Sequence, residues 1–285
     1  MTFKIASNTS ADSYSESPLS PERKARQAIV LLAQSAAVPV LSLIALFLIW
    51  EGVVVFFDLP VYLLPAPSVI WEASLEKPGT LLGHTVVTLR TVLLGFFASV
   101  LISLPLAVVI TSSQWLANVI YPLLVLTQSI PKVALAPILV IALGANELTR
   151  TVVTFLVAFF PLVIAVATGL MTAPKELIEL GRSYRGSAWQ IIVRIKLPYA
   201  IPMIFSGLKV AVTLSVVGAV VAEFVNADAG LGYYIVTSTA FFETPLAFSA
   251  LIILSFMGVL LFQLVCILER RLFPWSAGAG GQLIA

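Results

Sequence analysis

Six long apolar runs constrain this sequence more than any other feature. Each run has roughly 20 residues or more, the length that a helix needs to cross the hydrocarbon core of a bilayer. Only 11% of the 285 residues are charged, too few to cover a water-facing surface. We therefore predict an all-α integral membrane protein with six transmembrane helices. These spans are expected near residues 36–57, 80–111, 118–143, 149–171, 199–222 and 247–269.

The segments around these runs divide the chain into four parts. Residues 1–27 are polar and rich in serine, which predicts a disordered cytoplasmic tail. Residues 28–79 hold the first transmembrane helix and an outer-surface connection, in which prolines precede a short amphipathic helix over 68–77. Residues 80–270 hold the other five transmembrane helices, and residues 271–285 form a cytoplasmic C-terminal tail.

The positive charges predict the orientation of the chain in the membrane. Eleven of the 16 lysine and arginine residues lie in the N-terminal tail, in segment 172–198 or at Arg270 and Arg271. Cytoplasmic connections carry an excess of such residues. We therefore expect both termini and segment 172–198 to lie on the cytoplasmic side.

Segment 172–198 is the longest predicted cytoplasmic connection between spans, and its local signals indicate two short helices. Thr172 is the predicted N-cap of the first helix, which has a partial apolar stripe and basic residues near its end. Leu197 and Pro198 are expected to close the second helix before the fifth span.

A glycine turn is predicted between the two helices. Gly186 suits the left-handed position that ends the first helix. Ser187, followed three residues later by Gln190, forms a capping-box pattern that starts the second helix. Such a segment either lies on the membrane face as an anchor or docks a cytoplasmic partner in a groove.

Five separated stretches carry a family resemblance that covers about residues 65–270. The stretches are TLRTVLLGF (88–96), QSIPKVALAPILVIALG (128–144), AFFPLVIAVATGL (158–170), ELGRSYRGSAWQIIVRIKLP (179–198) and GAVVAEFVNADAGLGYYI (218–235). With these stretches the chain resembles the permeases of binding-protein-dependent ABC importers, in particular those of the nitrate, sulfonate and taurine type. Leu180-Gly181-Arg182 departs from the Glu-Ala-Ala that is typical of the wider family, but it is close to the Leu-Ala-Arg of this subgroup.

The resemblance implies the type I ABC importer permease fold and a transport function. It implies a homodimer in the bacterial plasma (inner) membrane, with the translocation path at its interface, a cytoplasmic ABC ATPase below and an extracytoplasmic solute-binding protein above. ATP and magnesium would bind to the ATPase, so no cofactor and no enzymatic activity are expected of this chain. The subgroup takes up nitrate, sulfonates such as taurine, and aromatic or heterocyclic compounds.

In this family the helix before the turn glycine rests in a cleft of the ATPase and transmits its closure to the spans. The residues of this chain that match the motif are the predicted ATPase-coupling residues. They are Glu179, Leu180, Ser183, Tyr184 and Gly186.

Polar residues inside the predicted spans are candidates for lining a translocation path. An intramembrane cation usually faces a bundle interior, a partner charge or a water-filled path. Lys132 is therefore interpreted either as a path residue or as a structural cation that pairs with a backbone carbonyl or an acid such as Glu223. Thr127, Gln128 and Ser129 precede Pro131, and such residues loosen a helix where it lines a cavity. The predicted path residues are Thr127, Gln128, Ser129, Lys132 and Glu223.

Other functional classes find less support in the sequence. The chain has one histidine, His84, and one cysteine, Cys266, so it has no Cys/His cluster for a metal. It has neither a phosphate-binding G-x-x-x-x-G-K-[ST] loop nor a G-x-S-x-G nucleophile turn, and a net charge of +2 does not indicate nucleic acid. The alternative function is an ATP-independent secondary transporter or channel, which would be expected to show internal repeats.

Overall fold

The computed structural model describes residues 38, 41–226 and 228–276, which belong to two units. The first unit ends at Phe57 and contains helix α1, Leu41–Phe56. At 1.5 Å per residue α1 rises about 24 Å, less than the roughly 30 Å of a hydrocarbon core. The start of the predicted first span, residues 1–27 and most of the C-terminal tail lie outside the described residues.

The second unit begins at Asp58, and its described residues form helices and turns without a β-strand. A short 3₁₀ helix and a π-helical turn interrupt the α-helices. In chain order the elements are α2 (Pro67–Glu76), α3 (Pro78–Ser112), α4 (Gln114–Thr127), the 3₁₀ helix (Lys132–Leu135), α5 (Ala136–Leu143), α6 (Glu147–Met171), α7 (Lys175–Ser183), α8 (Ala188–Ile191), the π turn (Ile192–Lys196), α9 (Leu197–Asn226), α10 (Leu231–Ala240) and α11 (Thr244–Leu272).

Among the described residues, four helical segments are each long and apolar enough to cross a membrane: α3, α6, α8 through α9, and α11. The predicted third span is broken, because α4 and the 3₁₀–α5 segment meet at an angle of 78°. Counted as one span, this pair makes five. The all-helical membrane architecture is confirmed, whereas the predicted number of six spans stays a prediction. Helix α2 matches the predicted amphipathic helix over 68–77 to within one residue.

Helix α6 lies at the centre of the second unit, packed between α3 and α9. Close approach depends on small residues, because a Cβ atom at Gly95 of α3 would overlap the Thr154 side chain of α6. Further along α3, Ser99 donates a hydrogen bond to the Phe155 carbonyl oxygen at 3.1 Å. Small residues and interhelical hydrogen bonds are the usual means by which helices associate in lipid, where hydrophobic burial gives little driving force.

Two ion pairs join charged residues of neighbouring spans. Lys209 of α9 lies 2.6 Å from a carboxylate oxygen of Glu269 on α11, and Ser276 donates to the other oxygen at 2.9 Å. Arg90 of α3 lies 2.8 Å from a carboxylate oxygen of Glu147 at the start of α6. The largely buried Lys209–Glu269 pair holds α9 against α11, whereas the Arg90–Glu147 pair, with side chains 68% and 38% exposed, contributes less.

Candidate functional site

Two backbone hydrogen bonds form the turn just after α7. The Arg185 amide donates to the Arg182 carbonyl oxygen, and the Gly186 amide donates to the Gly181 carbonyl oxygen, both at 2.9 Å. This pair of bonds is the Schellman arrangement, with Arg185 in the left-handed region at φ 55°. The prediction that Gly186 takes the left-handed position is therefore wrong by one residue. Glycine is needed at 186 because a Cβ atom there would lie 2.8 Å from the Gly181 carbonyl oxygen.

The predicted capping box at the start of α8 is confirmed. The Gln190 amide donates to the Ser187 hydroxyl oxygen at 3.2 Å, and the Ser187 amide donates to the Gln190 side-chain oxygen at 2.8 Å. With the turn before it, the capping box fixes both ends of the connection between α7 and α8. The connection is therefore a defined structural element.

Two other boundary predictions in this segment are wrong. The Thr172 hydroxyl donates to the Gly169 carbonyl oxygen at 2.7 Å, so Thr172 closes α6, and the N-cap position of α7 falls to Pro174. Pro198 does not end the second helix, because α8 continues through the π turn into α9. The wider π turn lies just before Pro198, where the proline ring would otherwise meet a carbonyl of the preceding turn.

The predicted coupling residues share the outward side of α7 and the turn that follows it. Leu180 is 52% exposed and Tyr184 is 82% exposed, and the two lie one helical turn apart. Glu179 and Ser183 are also exposed, whereas Gly186 is half-buried within the turn. The helix therefore presents a leucine and a tyrosine, flanked by polar groups, away from the rest of the chain.

A contact that sequence reasoning missed connects this segment to α3. The Lys196 ammonium group in the π turn donates to the Thr111 carbonyl oxygen at 3.0 Å, within the last turn of α3. A cation is favourable there because the helix dipole leaves partial negative charge on the last carbonyls. The two residues are 85 positions apart, so no local pattern could indicate this contact.

Most predicted path residues lie at the break between α4 and the 3₁₀ helix. Thr127 is the last residue of α4, while Gln128 and Ser129 are exposed in the turn that follows. Lys132 begins the 3₁₀ helix directly after Pro131. The break agrees with the expectation that proline and small polar residues loosen the helix here, and a path-lining role stays a prediction.

The Lys132 ammonium group lies over the Phe160 ring of α6, 5.0 Å from its centroid. A cation at this distance from an aromatic face is attracted to the ring. Lys132 therefore contacts an aromatic ring. The Glu223 carboxylate, which the sequence offered as a partner for Lys132, accepts hydrogen bonds from Thr88 and Gly232 instead. Lys132 remains only half-buried, so part of its side chain faces outward.

Glu223 of α9 is 1% exposed and belongs to a separate polar cluster. The Thr88 hydroxyl of α3 donates to its carboxylate at 2.9 Å, and the Gly232 amide of α10 donates at 2.7 Å. The Leu231 amide in turn donates to the Thr88 hydroxyl oxygen at 2.7 Å, and the Gly230 amide donates to Nδ1 of His84 at 3.0 Å. Glu223 thus joins α3, α9 and α10 at the end of the spans opposite α7.

The glycines of the turn before α10 make this cluster possible. Gly230 has φ 118°, a backbone conformation that residues with a side chain rarely adopt. A Cβ atom there would also overlap the Glu223 carboxylate. Arg150 of α6 closes the same turn, with its guanidinium 3.4 Å from the Asp228 carboxylate and 3.4 Å from the Ala229 carbonyl oxygen.

The second unit contains membrane-length helices, with the exposed helix α7 at one end. This architecture agrees with the family comparison. The family described as "Binding-protein-dependent transport system inner membrane component" matches residues 99–274, from the middle of α3 to the end of α11. The chain belongs to this family. It is a multi-pass inner-membrane permease with the type I ABC importer permease fold.

Three relatives show the range of this permease family. The riboflavin transport system permease protein of Chloroflexus aurantiacus is 33% identical over 240 residues, 83% of this chain and 89% of the relative. The formylaminopyrimidine transport permease protein of Halalkalibacterium halodurans is 33% identical over 238 residues, 83% and 95% of the two chains. The taurine transport system permease protein of Escherichia coli is 25% identical over 251 residues, 86% and 91% of the two chains.

Proposed function

We propose that this permease is the membrane-spanning subunit of an ATP-driven importer and that α7 docks a separate cytoplasmic ATPase. The exposed leucine and tyrosine of α7 carry this proposal. Leu180 and Tyr184 face outward on a helix whose following turn is held by the Schellman bonds and the capping box. An amphipathic helix in a groove uses apolar anchors for affinity and charged flanks for register.

The connection of this helix to the spans supports a role in transmission. Lys196 joins the segment to the end of α3, and the π turn runs without a break from α8 into α9. Motion of α7 and α8 would therefore be transmitted to α3 through the Lys196 hydrogen bond and to α9 through the continuous helix. ATP and magnesium would remain on the ATPase, and this chain would perform translocation without bond chemistry.

For the rest of the assembly we propose the arrangement that is typical of the family. Two copies of the permease would form the path at their interface, with both termini and α7 on the cytoplasmic side and a solute-binding protein on the opposite side. In this arrangement Thr127, Gln128, Ser129 and Lys132 belong to the path, and Glu223 acts at the outer end of the spans. The positive charge of segment 172–198 supports the orientation.

We infer that the solute is a small heterocyclic compound. The riboflavin and formylaminopyrimidine permeases are each 33% identical to this chain, compared with 25% for the taurine permease. Uptake of labelled riboflavin, formylaminopyrimidine, taurine and nitrate into cells that express the complete transporter would test the inference. Uptake of taurine or nitrate alone would contradict it.

Copurification tests the docking proposal directly. The tagged permease is extracted in mild detergent, the copurifying nucleotide-binding subunit is identified, and its affinity and ATPase activity are measured with each variant. Burying a leucine contributes roughly 1.5–3 kcal/mol, and about 1.4 kcal/mol corresponds to tenfold in affinity. Leu180→Arg should therefore weaken ATPase binding by about tenfold or more. Gly186→Asp should distort the turn and uncouple ATP hydrolysis from uptake.

Leu272→Arg is the matched control. Leu272 is 54% exposed at the end of α11, against 52% for Leu180, and it receives the same substitution outside the docking segment. It should leave ATPase binding unchanged. Equal recovery of the ATPase with Leu180→Arg and with the unmodified chain would refute the docking role of α7. Solute movement by the reconstituted permease without any ATPase would favour a secondary transporter or channel instead.

A further inference from the structure

A cavity of about 310 Å³ lies where α3 and α6 end and α4 and α7 begin. One water takes roughly 30 Å³ of liquid volume, so the cavity has room for a group much larger than water. Its walls come from four helices and the π turn. The lining includes Thr111, Ser113, Ala117, Leu170, Lys175 and Lys196.

The charge of this cavity is positive. Lys175 and Lys196 both line it, and no Asp or Glu is among the described residues around it. An adjoining cavity of about 160 Å³ is lined by Lys196 together with Arg182. Lys196 gives one of its three N–H groups to the Thr111 carbonyl oxygen, so two remain for a ligand. The nearby acids Glu176 and Glu179 are exposed on α7 and do not line either cavity.

We expect the cavity to lie at the boundary between lipid tails and water, because two apolar spans end at it. It lies at the ends of the apolar spans α3 and α6, and part of its lining, Ala117 and Leu170, is apolar. Two large apolar residues that lie two positions from lining residues in the chain are exposed, Val109 at 54% and Trp115 at 70%. Exposed tryptophan is typical of the headgroup level of a membrane.

We propose that this cavity binds the phosphate headgroup of an anionic phospholipid. The ammonium groups of Lys175 and Lys196 contact the phosphate, and an acyl chain lies along the exposed apolar surface of α3 and α4. Basic pockets between transmembrane helices are suited to anionic lipid headgroups. An acidic side chain of a cytoplasmic protein would pair with the lysines but would not contact the apolar surface beside them. A phospholipid would contact both, so it explains more features of the cavity. The proposal does not depend on the transport function.

Native mass spectrometry of the purified full-length permease measures this binding without any partner protein. Dissociation constants are determined for phosphatidylglycerol and for phosphatidylcholine of the same acyl chains, with and without inorganic phosphate as competitor. Phosphatidylglycerol should bind at least fivefold more tightly. Lys175→Gln and Lys196→Gln should each weaken phosphatidylglycerol binding about fivefold and leave phosphatidylcholine binding unchanged.

Lys175→Gln is the decisive variant, because Lys175 is exposed and its loss leaves the helix contacts intact, whereas Lys196 also caps α3. Arg271→Gln removes an exposed charge from the end of α11 and should not alter lipid binding. Equal binding of the two lipids, or a preference for phosphatidylglycerol that survives both lysine substitutions, would overturn the proposal. Displacement of the lipid by millimolar inorganic phosphate would also overturn it, because the ligand would then be a free anion.

Discussion

Replacing Lys209 with methionine should destabilise the permease by about 3 kcal/mol, because it leaves Glu269 buried without its cation. The Lys209 and Glu269 side chains are 26% and 8% exposed, and their charged atoms are 2.6 Å apart. The methionine side chain matches that of lysine as far as Cε and keeps the apolar packing of the lysine stem. The substitution therefore removes the charge and little else.

The size of the effect follows from what Glu269 retains. Breaking a buried ion pair by removing one partner costs about 3–5 kcal/mol. The Ser276 hydroxyl still donates to the carboxylate at 2.9 Å, which places the cost at the lower end of this range. For a chain of this size each kcal/mol shifts Tm by about 2–4 °C, so we expect a decrease of about 6–12 °C.

Thermal unfolding in detergent, followed by intrinsic fluorescence at one scan rate, measures the decrease. Lys77→Met is the control, because Lys77 and Glu243 form a pair at 3.2 Å whose side chains are 44% and 48% exposed. Such a surface pair contributes roughly 0–1 kcal/mol, so Tm should change little. Combining Lys209→Met with Glu269→Gln should restore most of the lost stability. Equal effects of Lys209→Met and Lys77→Met, or no recovery in the double variant, would refute the reasoning.

Three further substitutions test the turn before α10, the coupling segment and the path. Gly230→Ala should lower Tm and abolish uptake, because Gly230 has φ 118° and the new methyl group would overlap the Glu223 carboxylate. Gly258→Ala is the control and should change neither, because the space around Gly258 is open. Equal Tm values for the two variants would contradict this prediction. Ser187→Ala should cost about 1 kcal/mol of local stability, because it removes the N-cap of α8. Amide hydrogen exchange in α8 should then be faster than in the unmodified chain. Unchanged exchange would rule out a capping role. Lys132→Ala should reduce uptake of an anionic solute more than that of a neutral analogue, and equal loss would favour a packing role.

Local hydrogen-bonding patterns could be predicted well from the sequence. The capping box of Ser187 and Gln190 is confirmed, because both partners lie within one helical turn. The helix–turn–helix form of the segment that contains it is also present, as is helix α2. The errors concern helix boundaries: Arg185 takes the left-handed position predicted for Gly186, and Pro198 does not end its helix.

The sequence by itself determined that this chain is a helical membrane protein, since the length of each apolar run can be read directly from the order of the residues. The permease function came from the resemblance of five separated stretches to a known family. Only the tertiary structure decided which helix faces meet, because the spans are apolar both toward lipid and toward one another, which leaves no amphipathic stripe to mark the packed side. The contacts of Glu223 with Thr88 and of Lys196 with Thr111 join residues 135 and 85 positions apart. Such contacts exist only after the helices have packed, so no local pattern encodes them.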